Sequence, residues 1–435
     1  MAHAIDWPAV HREALDLFVQ YLRIDTSNPP GNEAPAARFL GGLLEREGIA
    51  VEYIETAPNR EAVVARMAGD GSKRPLMLAN HTDVVPVEEA YWDVPPFEGV
   101  VKDGRVYGRG AVDMKGCGVM QLMAVLLLKR LGVRLARDVV FCAVPDEEAG
   151  SAYGMAWLCR HRPDIVDVEF EINEGGGGSD GFAGKPAHLF TVATNEKQIA
   201  WLRLTAVGKP GHGSIPHEDN SAVHLARALV RLADWDRGLT FRPETREYLE
   251  RLAAEGLFPS LDDAEAVEAQ IRRSPQLHAQ FINTLNITMI HAGIKGNVIP
   301  AKSTATIDCR LLPGQSVDEW IRQVRERIDD ERIEVERVAH EEEPVPIAWD
   351  TELFRTIEAM VKDAMEDAVV VPGMTVGGTD NRFLRARGIP AYGFMPCLLS
   401  SEERAGFHGN NEFLTVENLN LGCELMYEIV HRMCT

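Results

Sequence analysis

The feature that most constrains the fold of this chain is a set of short apolar segments, each followed closely by acidic or imidazole side chains. Residues 75–80 (PLMLAN), 138–144 (DVVFCAV) and 168–173 have the length and composition of buried strands. The polar residues that follow them are His81 and Asp83, then Glu147 and Glu148, then Glu174. Because helix-like segments alternate with these strands, we predict an α/β fold with a doubly wound, mixed but mostly parallel sheet.

The chain has 435 residues, which is more than one hydrophobic core usually organises, so we expect two domains. The alternation of strands and helices stops near residue 196, and strand-like segments typical of an α+β unit follow. We therefore predict one domain built from residues 1–196 and 342–435, interrupted by an inserted α+β domain of residues 197–341. The charged helical segment 235–276 matches no motif, and a solvated addition to the inserted domain is its simpler interpretation.

Composition and charge exclude several classes of function. The net charge of −21 argues against nucleic acid and against anionic membrane surfaces as partners. The longest uncharged apolar stretch, residues 116–128, is well short of the roughly 20 residues that a membrane span needs. Seven scattered cysteines form no C-x-x-C pair, and the amino-terminal segment has no signal-peptide pattern. We therefore expect a cytoplasmic protein with reduced thiols.

Two further polar residues come from glycine-containing loops and complete a constellation of acids and imidazoles. Asp113 lies in GRGAVDMKG, just before a helix-like segment, and His408 lies in FHGNNE. Because parallel strands present their carboxyl ends at one edge of the sheet, we expect all these groups to converge there. Carboxylates in one pocket repel each other unless a counter-charge is present, and a pair of divalent metal ions supplies it.

The ligand types suggest how two ions would be shared. Two metal ions about 3.5–4 Å apart usually need a bridging carboxylate, and Asp113 is the candidate bridge, although alone it would equally suit a helix N-cap. We predict that His81 and Glu174 complete one metal site and that Glu148 and His408 complete the other.

Two acidic residues of the constellation are not needed as ligands. Glu147 lies beside Glu148, and a free carboxylate beside a metal-bridging water is the general base that a metal hydrolase requires. Asp83 lies two residues after His81, and we expect it to hold the second ring nitrogen of that histidine.

Five motifs of the chain together resemble those of a known family. HTDVVP, GRGAVDMKG, PDEEAGS, INEGG and HGNNE, in that order, resemble the motifs of the cocatalytic two-zinc aminoacylases and carboxypeptidases. That family includes acetylornithine deacetylase, succinyl-diaminopimelate desuccinylase, aminoacylase and glutamate carboxypeptidase. The resemblance covers nearly the whole chain and implies the same ligand and base assignments, with two Zn²⁺ per subunit. Co²⁺ or Mn²⁺ would also suit these ligands.

The resemblance has structural implications as well. It implies that the domain of residues 1–196 and 342–435 is catalytic, and that the inserted domain is a lid through which two chains form a homodimer. It also implies a cis peptide bond between Asp113 and Met114.

The resemblance extends to residues that would touch the substrate. His212 in GHGS is similar to a histidine that reaches into the partner subunit's site and polarises the scissile carbonyl. Asn297 in GNVIP and Arg310 in IDCR resemble residues that hold a free substrate carboxylate, which the guanidinium fork fits well. Gly378 and Thr379 in GGTD resemble a substrate-side loop of the catalytic domain.

These expectations favour a metal-dependent hydrolase that cleaves the amide bond of an N-acyl amino acid or a short peptide with a free carboxylate. A deacylase is the favoured form, and a metallo-carboxypeptidase or dipeptidase is the alternative. A more remote alternative is a binding or assembly protein on the same fold. Glu147 argues against that last class, because a receptor has no need of a general base.

Overall fold

The structure is a computed structural model that describes residues 5–338 and 345–435. Its helices are α1 (Trp7–Leu22), α2 (Ala34–Arg46), α3 (Lys115–Arg130), α4 (Met155–His161), α5 (Ser221–Ala233), α6 (Pro243–Ala254), α7 (Ala264–Arg273), α8 (Pro275–Ala279), α9 (Val317–Ile328), α10 (Glu352–Ala364), α11 (Asn381–Arg385), α12 (Ser401–Ala405) and α13 (Val416–Cys434). Its strands are β1 (Val51–Ala57), β2 (Arg60–Met67), β3 (Leu76–His81), β4 (Val100–Lys102), β5 (Arg105–Tyr107), β6 (Val139–Val144), β7 (Phe170–Phe182), β8 (Lys185–Glu196), β9 (Gln198–Ile199), β10 (Leu202–Val207), β11 (Gly211–His212), β12 (Thr284–Ala292), β13 (Val298–Ile299), β14 (Lys302–Leu311), β15 (Ile333–Arg337), β16 (Val369–Thr375), β17 (Ala391–Leu399) and β18 (Phe413–Thr415).

The larger sheet has eight strands in the order β1-β2-β6-β3-β7-β17-β8-β16. Its four central strands, β6, β3, β7 and β17, run parallel to one another. The predicted α/β fold with a mixed, mostly parallel sheet is therefore confirmed. His81, the last residue of β3, pairs in register with Val144, the last residue of β6, so the polar residues that follow these strands begin at the same edge.

Helices cover both faces of this sheet. On one face α3 packs on β3 and β6 and contacts α1 and α13, and its side chains are buried along most of its length. Helix α13 also packs on β17. The close approach of α13 depends on Gly422, because a Cβ there would lie 2.4 Å from the Sδ atom of Met120 in α3. Helices α4 and α11 pack on the other face. None of the helices in the described residues combines the length and the apolar composition that a bilayer crossing requires.

A second sheet forms within the segment predicted as an insertion. Strands β12, β14, β10 and β15 pair in that order, and β9 pairs with β14. Helices α5 and α9 pack on this sheet and share a hydrophobic core with it. The rings of Trp235 and Trp320 stack at the edge of that core, with their centroids 5.1 Å apart. This sheet therefore has a core separate from that of the larger sheet.

The expectation that residues 235–276 are a solvated addition to the inserted domain is wrong. Helices α6, α7 and α8 form a hydrophobic core with β8 and β16 of the larger sheet, in which Leu249 and Leu252 contact that sheet near Val371. Arg251 also donates a hydrogen bond of 2.9 Å to the main-chain oxygen of Val370. The apolar face was masked in the sequence by the charged residues that occupy the remaining faces of these helices.

This packing makes a testable prediction for stability. We expect Leu252→Ala to lower the free energy of unfolding by about 2–5 kcal/mol, because it leaves a cavity beneath α6. The exposed neighbour Glu250 on the same helix is the matched control, and Glu250→Ala should change stability by no more than about 0.5 kcal/mol. Urea unfolding of the two variants measures both values, and an equally small effect for both would contradict the buried packing of α6.

Candidate metal centre

His81 lies at the end of β3 with its ring almost fully buried. Its Nδ1 atom is 2.9 Å from the main-chain oxygen of Asp83. Because a carbonyl oxygen can only accept, Nδ1 carries a proton, so Nε2 is the ring nitrogen that can bind a metal ion. That Nε2 atom lies 3.0 Å from Oδ1 of Asp113 and 3.6 Å from Oε1 of Glu174. The tautomer and the direction of the ring are those of a metal ligand.

Asp113 lies between two groups of potential ligands. Its Oδ1 atom faces His81, whereas its Oδ2 atom is 3.2 Å from Nε2 of His408. The same Nε2 atom is 3.3 Å from Oε2 of Glu148. The structure thus brings the five predicted ligands into two sets that share Asp113, namely His81, Asp113 and Glu174 in one set and Asp113, Glu148 and His408 in the other. Within each set the ligand atoms all lie within 4.8 Å of one another.

The loop that carries Asp113 is held in an unusual conformation. The peptide bond between Asp113 and Met114 is cis, as the resemblance to the two-zinc family implies. Asp113 does not cap α3, because Met114 occupies the N-cap position and no side chain caps the helix there. The carboxylate of Asp113 is therefore free to face the two histidines.

The electrostatics of the cluster fit divalent cations. Burial, together with the charge of Asp113, raises the pKa of Glu174 to about 8. Hydrogen bonds to Asp113 and Glu148 raise the pKa of His408 to about 10. The Oε1 atom of Glu148 is buried without a hydrogen-bond partner among the described residues. Imidazole and carboxylate side chains that are crowded in this way are the donor set that binds zinc and similar ions.

Glu147 lies beside the two ligand sets in a short 3-10 turn, Glu147–Ala149. It lines a cavity to which four of the five ligands, Asp113, Glu148, Glu174 and His408, also contribute. Burial and the charge of Glu174 raise the pKa of Glu147. The guanidinium of Arg382 lies 3.8 Å from its Oε1 atom. Arg382 did not stand out in the sequence, although it follows the GGTD motif by only two residues. The arrangement leaves one carboxylate close to the ligands but outside both ligand sets.

The carboxylate of Asp83 makes a long contact of 3.6 Å with Nδ1 of His81, and the main-chain oxygen makes the shorter one. The carboxylate accepts hydrogen bonds from the main-chain N–H groups of Glu147, at 3.0 Å, and Glu148, at 3.1 Å. It also accepts one of 2.8 Å from the side chain of Asn28. Asp83 therefore fixes the turn that carries the candidate base and one ligand.

Glu412 is a buried carboxylate that sequence reasoning missed. It accepts hydrogen bonds from the main-chain N–H groups of Gly110, Val112 and Asp113, at 2.9, 2.7 and 3.1 Å. It also pairs with Arg109 at 2.7 Å, and Arg109 donates to the main-chain oxygen of Gly409, next to His408. This ion pair therefore joins the loop of the shared ligand to the loop of His408. Its only sequence signal was the final acid of HGNNE.

The predicted substrate residues fall into two groups. Gly378 and Thr379 line the cavity beside the ligands, and the Thr379 hydroxyl donates a hydrogen bond of 2.7 Å to Glu196. His212, Asn297 and Arg310 are not among the lining residues of that cavity in the described chain.

The second group lies on the smaller sheet and the strands beside it. The strand of His212 pairs with β13, and the N–H of the residue after it donates to the main-chain oxygen of Asn297 at 2.9 Å. Arg310 lies on β14, where its Nε atom donates to Asp308 at 2.8 Å. Within one chain these three residues therefore form no part of the metal centre.

The fold and the two ligand sets, with a spare carboxylate beside them, define the chain as a metal-dependent hydrolase. It belongs to the peptidase family M20/M25/M40, whose model matches residues 77–432. The family that the sequence motifs suggested is thereby confirmed.

Individual relatives agree with this assignment. The chain is 31% identical over 395 residues to aminoacylase-1 of Sus scrofa, an alignment that covers 88% of this chain and 86% of that protein. It is 32% identical over 379 residues to N-fatty-acyl-amino acid synthase/hydrolase PM20D1 of Xenopus tropicalis, covering 84% and 74% of the two chains. Among solved structures it is similar to the M20 family metallo-carboxypeptidase Sso-CP2 from Sulfolobus solfataricus. That match has a TM-score of 0.73 and 19% identity, and covers 96% of this chain and 98% of the other.

The contacts of Glu412 make a prediction for metal binding. We expect Glu412→Gln to weaken metal affinity by about 10- to 100-fold, because the loops of Asp113 and His408 lose the charge that joins them. Chelator competition monitored by metal content measures the change without relying on turnover. Glu417→Gln, which alters an exposed acid a few residues further on, is the control. Equal metal affinity in the two variants would contradict this role.

Proposed function

We propose that the chain hydrolyses the amide bond of N-acyl amino acids that carry a free carboxylate. The observation that carries the proposal is the position of Asp113, whose two oxygens face two different imidazoles while Glu147 lies in the same cavity. The names of two relatives, an aminoacylase and an N-fatty-acyl-amino acid synthase/hydrolase, favour an N-acyl amino acid over a peptide. In this proposal the base and the ligands act together on one carbonyl group.

In the proposed centre the five ligands hold two Zn²⁺ ions, with Asp113 shared between them. His81 and Glu174 complete one site, and Glu148 and His408 complete the other. Bound zinc would polarise the scissile carbonyl and lower the pKa of a water molecule. The imidazoles stay neutral as ligands, so the four carboxylates need the positive charge that the ions bring.

Glu147 is the proposed general base. Its carboxylate accepts a proton from the attacking water and then passes that proton to the leaving nitrogen, so the same group acts as base and acid. Asp83 holds the main chain of this residue through the N–H of Glu147, and the guanidinium of Arg382 lies 3.8 Å from its carboxylate.

The substrate's amino acid portion is proposed to lie on the inserted-domain side. Arg310 and Asn297 would bind its carboxylate, and Gly378 and Thr379 would lie beside the acyl carbonyl. His212 would donate a hydrogen bond to the developing oxyanion. Its ring suits this role, because the N–H of Ser214 donates to its Nδ1 atom at 3.2 Å and the proton is therefore on Nε2.

Because His212 does not line the cavity of its own chain, we propose that it acts in the site of a second copy. Strand β12 is an edge strand of the smaller sheet, and the side chains of Met289, Ile290 and Ile294 are 51%, 57% and 99% exposed. A long edge strand with exposed apolar side chains is a surface for association. A homodimer formed through this edge would cover it.

The setting proposed for the enzyme is the cytoplasm. All seven cysteines are free and buried, which matches a reducing compartment.

The role of Glu147 is tested by Glu147→Gln. We expect this variant to retain its metal and to lose turnover by at least about 10²-fold, because it keeps the shape of the side chain but removes the proton acceptor. Metal content and the hydrolysis of N-acetyl amino acids, measured beside a set of dipeptides, give the result. His408→Ala is the comparison, because it should lose metal as well as activity. Normal turnover in Glu147→Gln would overturn the assignment.

The role of His212 in trans is tested by mixing two inactive chains. We expect His212→Ala and Glu147→Gln to restore partial activity to each other after subunit exchange, because one heterodimeric site then has an intact base and an intact histidine. Adding Ile290→Lys to both chains should abolish this restoration and yield monomers in sedimentation. Val207→Lys, on the same sheet but on another strand, is the control. Failure to restore activity in confirmed heterodimers would contradict the proposal.

A further inference from the structure

The cavity that contains the metal ligands continues away from them beside β7. It has a volume of about 530 Å³. Beyond the ligands its lining includes the side chains of Val112, Met395, Leu399 and Phe407 and the glycine run of residues 175–178. We call this part of the cavity, defined by those residues, the apolar chamber.

The glycine run allows the neighbouring strands to approach β7 closely. A Cβ at Gly176 would lie 2.4 Å from the main-chain oxygens of Thr191 and Gly393, and one at Gly178 would lie 2.5 Å from that of Cys397. These distances are too short for any side chain, so β8 and β17 can approach β7 only where it has glycine. The part of the chamber wall that residues 175–178 of β7 form therefore has no side chains.

The remaining lining is mostly apolar, although Thr191, Thr375 and Arg404 also contribute to it. Val112, Met395 and Leu399 are each no more than 5% exposed, although their side chains face the cavity. Phe407, next to the ligand His408, is 41% exposed and forms part of the chamber's rim. Binding of an apolar group that displaces water from such a surface is favourable, because apolar area is removed from water on both sides.

The chamber is longer than the smallest acyl group requires. From Glu174, a metal ligand, to Ser179, which also lines the cavity, β7 advances five residues, or at most about 16 Å at the usual rise per residue. An acetyl group extends only one carbon–carbon bond, about 1.5 Å, beyond the carbonyl carbon. Arg404 lies at the distal part, where its guanidinium donates to the main-chain oxygen of Leu399 at 2.7 Å and lies 3.6 Å from Asp180.

The lining residues show which end of a substrate faces the chamber. They all come from residues 112–191 and 375–408, whereas His212, Asn297 and Arg310 lie on the smaller sheet or beside it. If those residues hold the amino acid end, then the acyl group points away from them, into the chamber. The guanidinium of Arg404 already has a carboxylate nearby, so the apolar walls and not this cation dominate recognition.

We propose that the chamber binds an unbranched, apolar acyl group of several carbons. The protein would then be a hydrolase of N-acyl amino acids with medium-length or long acyl groups. This inference rests on the proposed function and specifies its substrate class. Each methylene that becomes buried against these walls should raise kcat/KM by about fourfold until the chamber is filled.

Substrate series on the unaltered enzyme test this proposal. In the first series leucine carries N-acetyl, N-butanoyl, N-hexanoyl, N-octanoyl or N-decanoyl groups, and in the second series N-acetyl groups are attached to glycine, alanine or leucine. We expect kcat/KM to rise along the first series by much more than along the second. If kcat/KM does not rise along the first series, or if N-succinyl-leucine is preferred over N-hexanoyl-leucine, the proposed binding of the acyl group in the chamber is contradicted. Absence of hydrolysis for every N-acyl amino acid would instead overturn the proposed function.

Two neighbouring leucines provide a matched pair of variants. Leu399→Phe narrows the chamber and should lower kcat/KM for long acyl chains by much more than for N-acetyl-leucine, which shifts the optimum to shorter chains. Leu398, the preceding residue of β17, lines a different cavity with Met365 and Leu421, so Leu398→Phe should leave the optimum unchanged. Phe407→Ala, at the exposed rim, should reduce activity on long chains selectively. Equal effects on all chain lengths would contradict the proposal, and thermal melts confirm that each variant is folded.

Discussion

Repulsion between carboxylates that share one buried pocket is the constraint on which the rest of this structure depends. Asp113, Glu147, Glu148 and Glu174 lie at the carboxyl-terminal edge of the central strands or in the loops beside it, and two histidines cannot balance them all. The parallel sheet concentrates this charge, because it delivers consecutive strand ends to one place. Divalent ions resolve the conflict, and the chemistry of the site follows from that resolution.

Two buried acids that are not ligands, Glu412 and Asp83, hold the loops that carry the ligands. Each uses its charge to hold main-chain N–H groups of these loops. An acid that binds N–H groups is stabilised by them, and in return it fixes the position of the loop. The ligands therefore keep their places through bonds to the loop backbones, which leaves their own oxygens and nitrogens available.

The sequence was informative where an interaction is local and uninformative where it joins distant segments. The strands that end near His81 and Glu147, and the start of β7 before Glu174, could be predicted because apolar runs of that length have few other structures available, and their shared edge follows from parallel pairing. The continuation of β7 through Glu174 and the glycine run was not predicted. Glu412 could not be found, since it is one of 66 acidic residues and its partners are some 300 positions away. The spacing of Asp83 from His81 indicated a contact, but only coordinates distinguish a main-chain oxygen from a carboxylate. Helices α6 to α8 were misjudged because their many charges hide a narrow apolar stripe.

The packing of those three helices has a consequence for the architecture as a whole. The polypeptide leaves the larger sheet after β8 and returns to it in α6, and it leaves again after α8 before it comes back in α10. The two sheets are therefore interwoven along the chain, and the smaller one cannot be excised or exchanged with that of a relative as a single cassette. Replacement of the whole insertion would remove the helices that pack on β16 and β8. Recombination between such proteins therefore has to keep residues 243–279 together with the larger sheet.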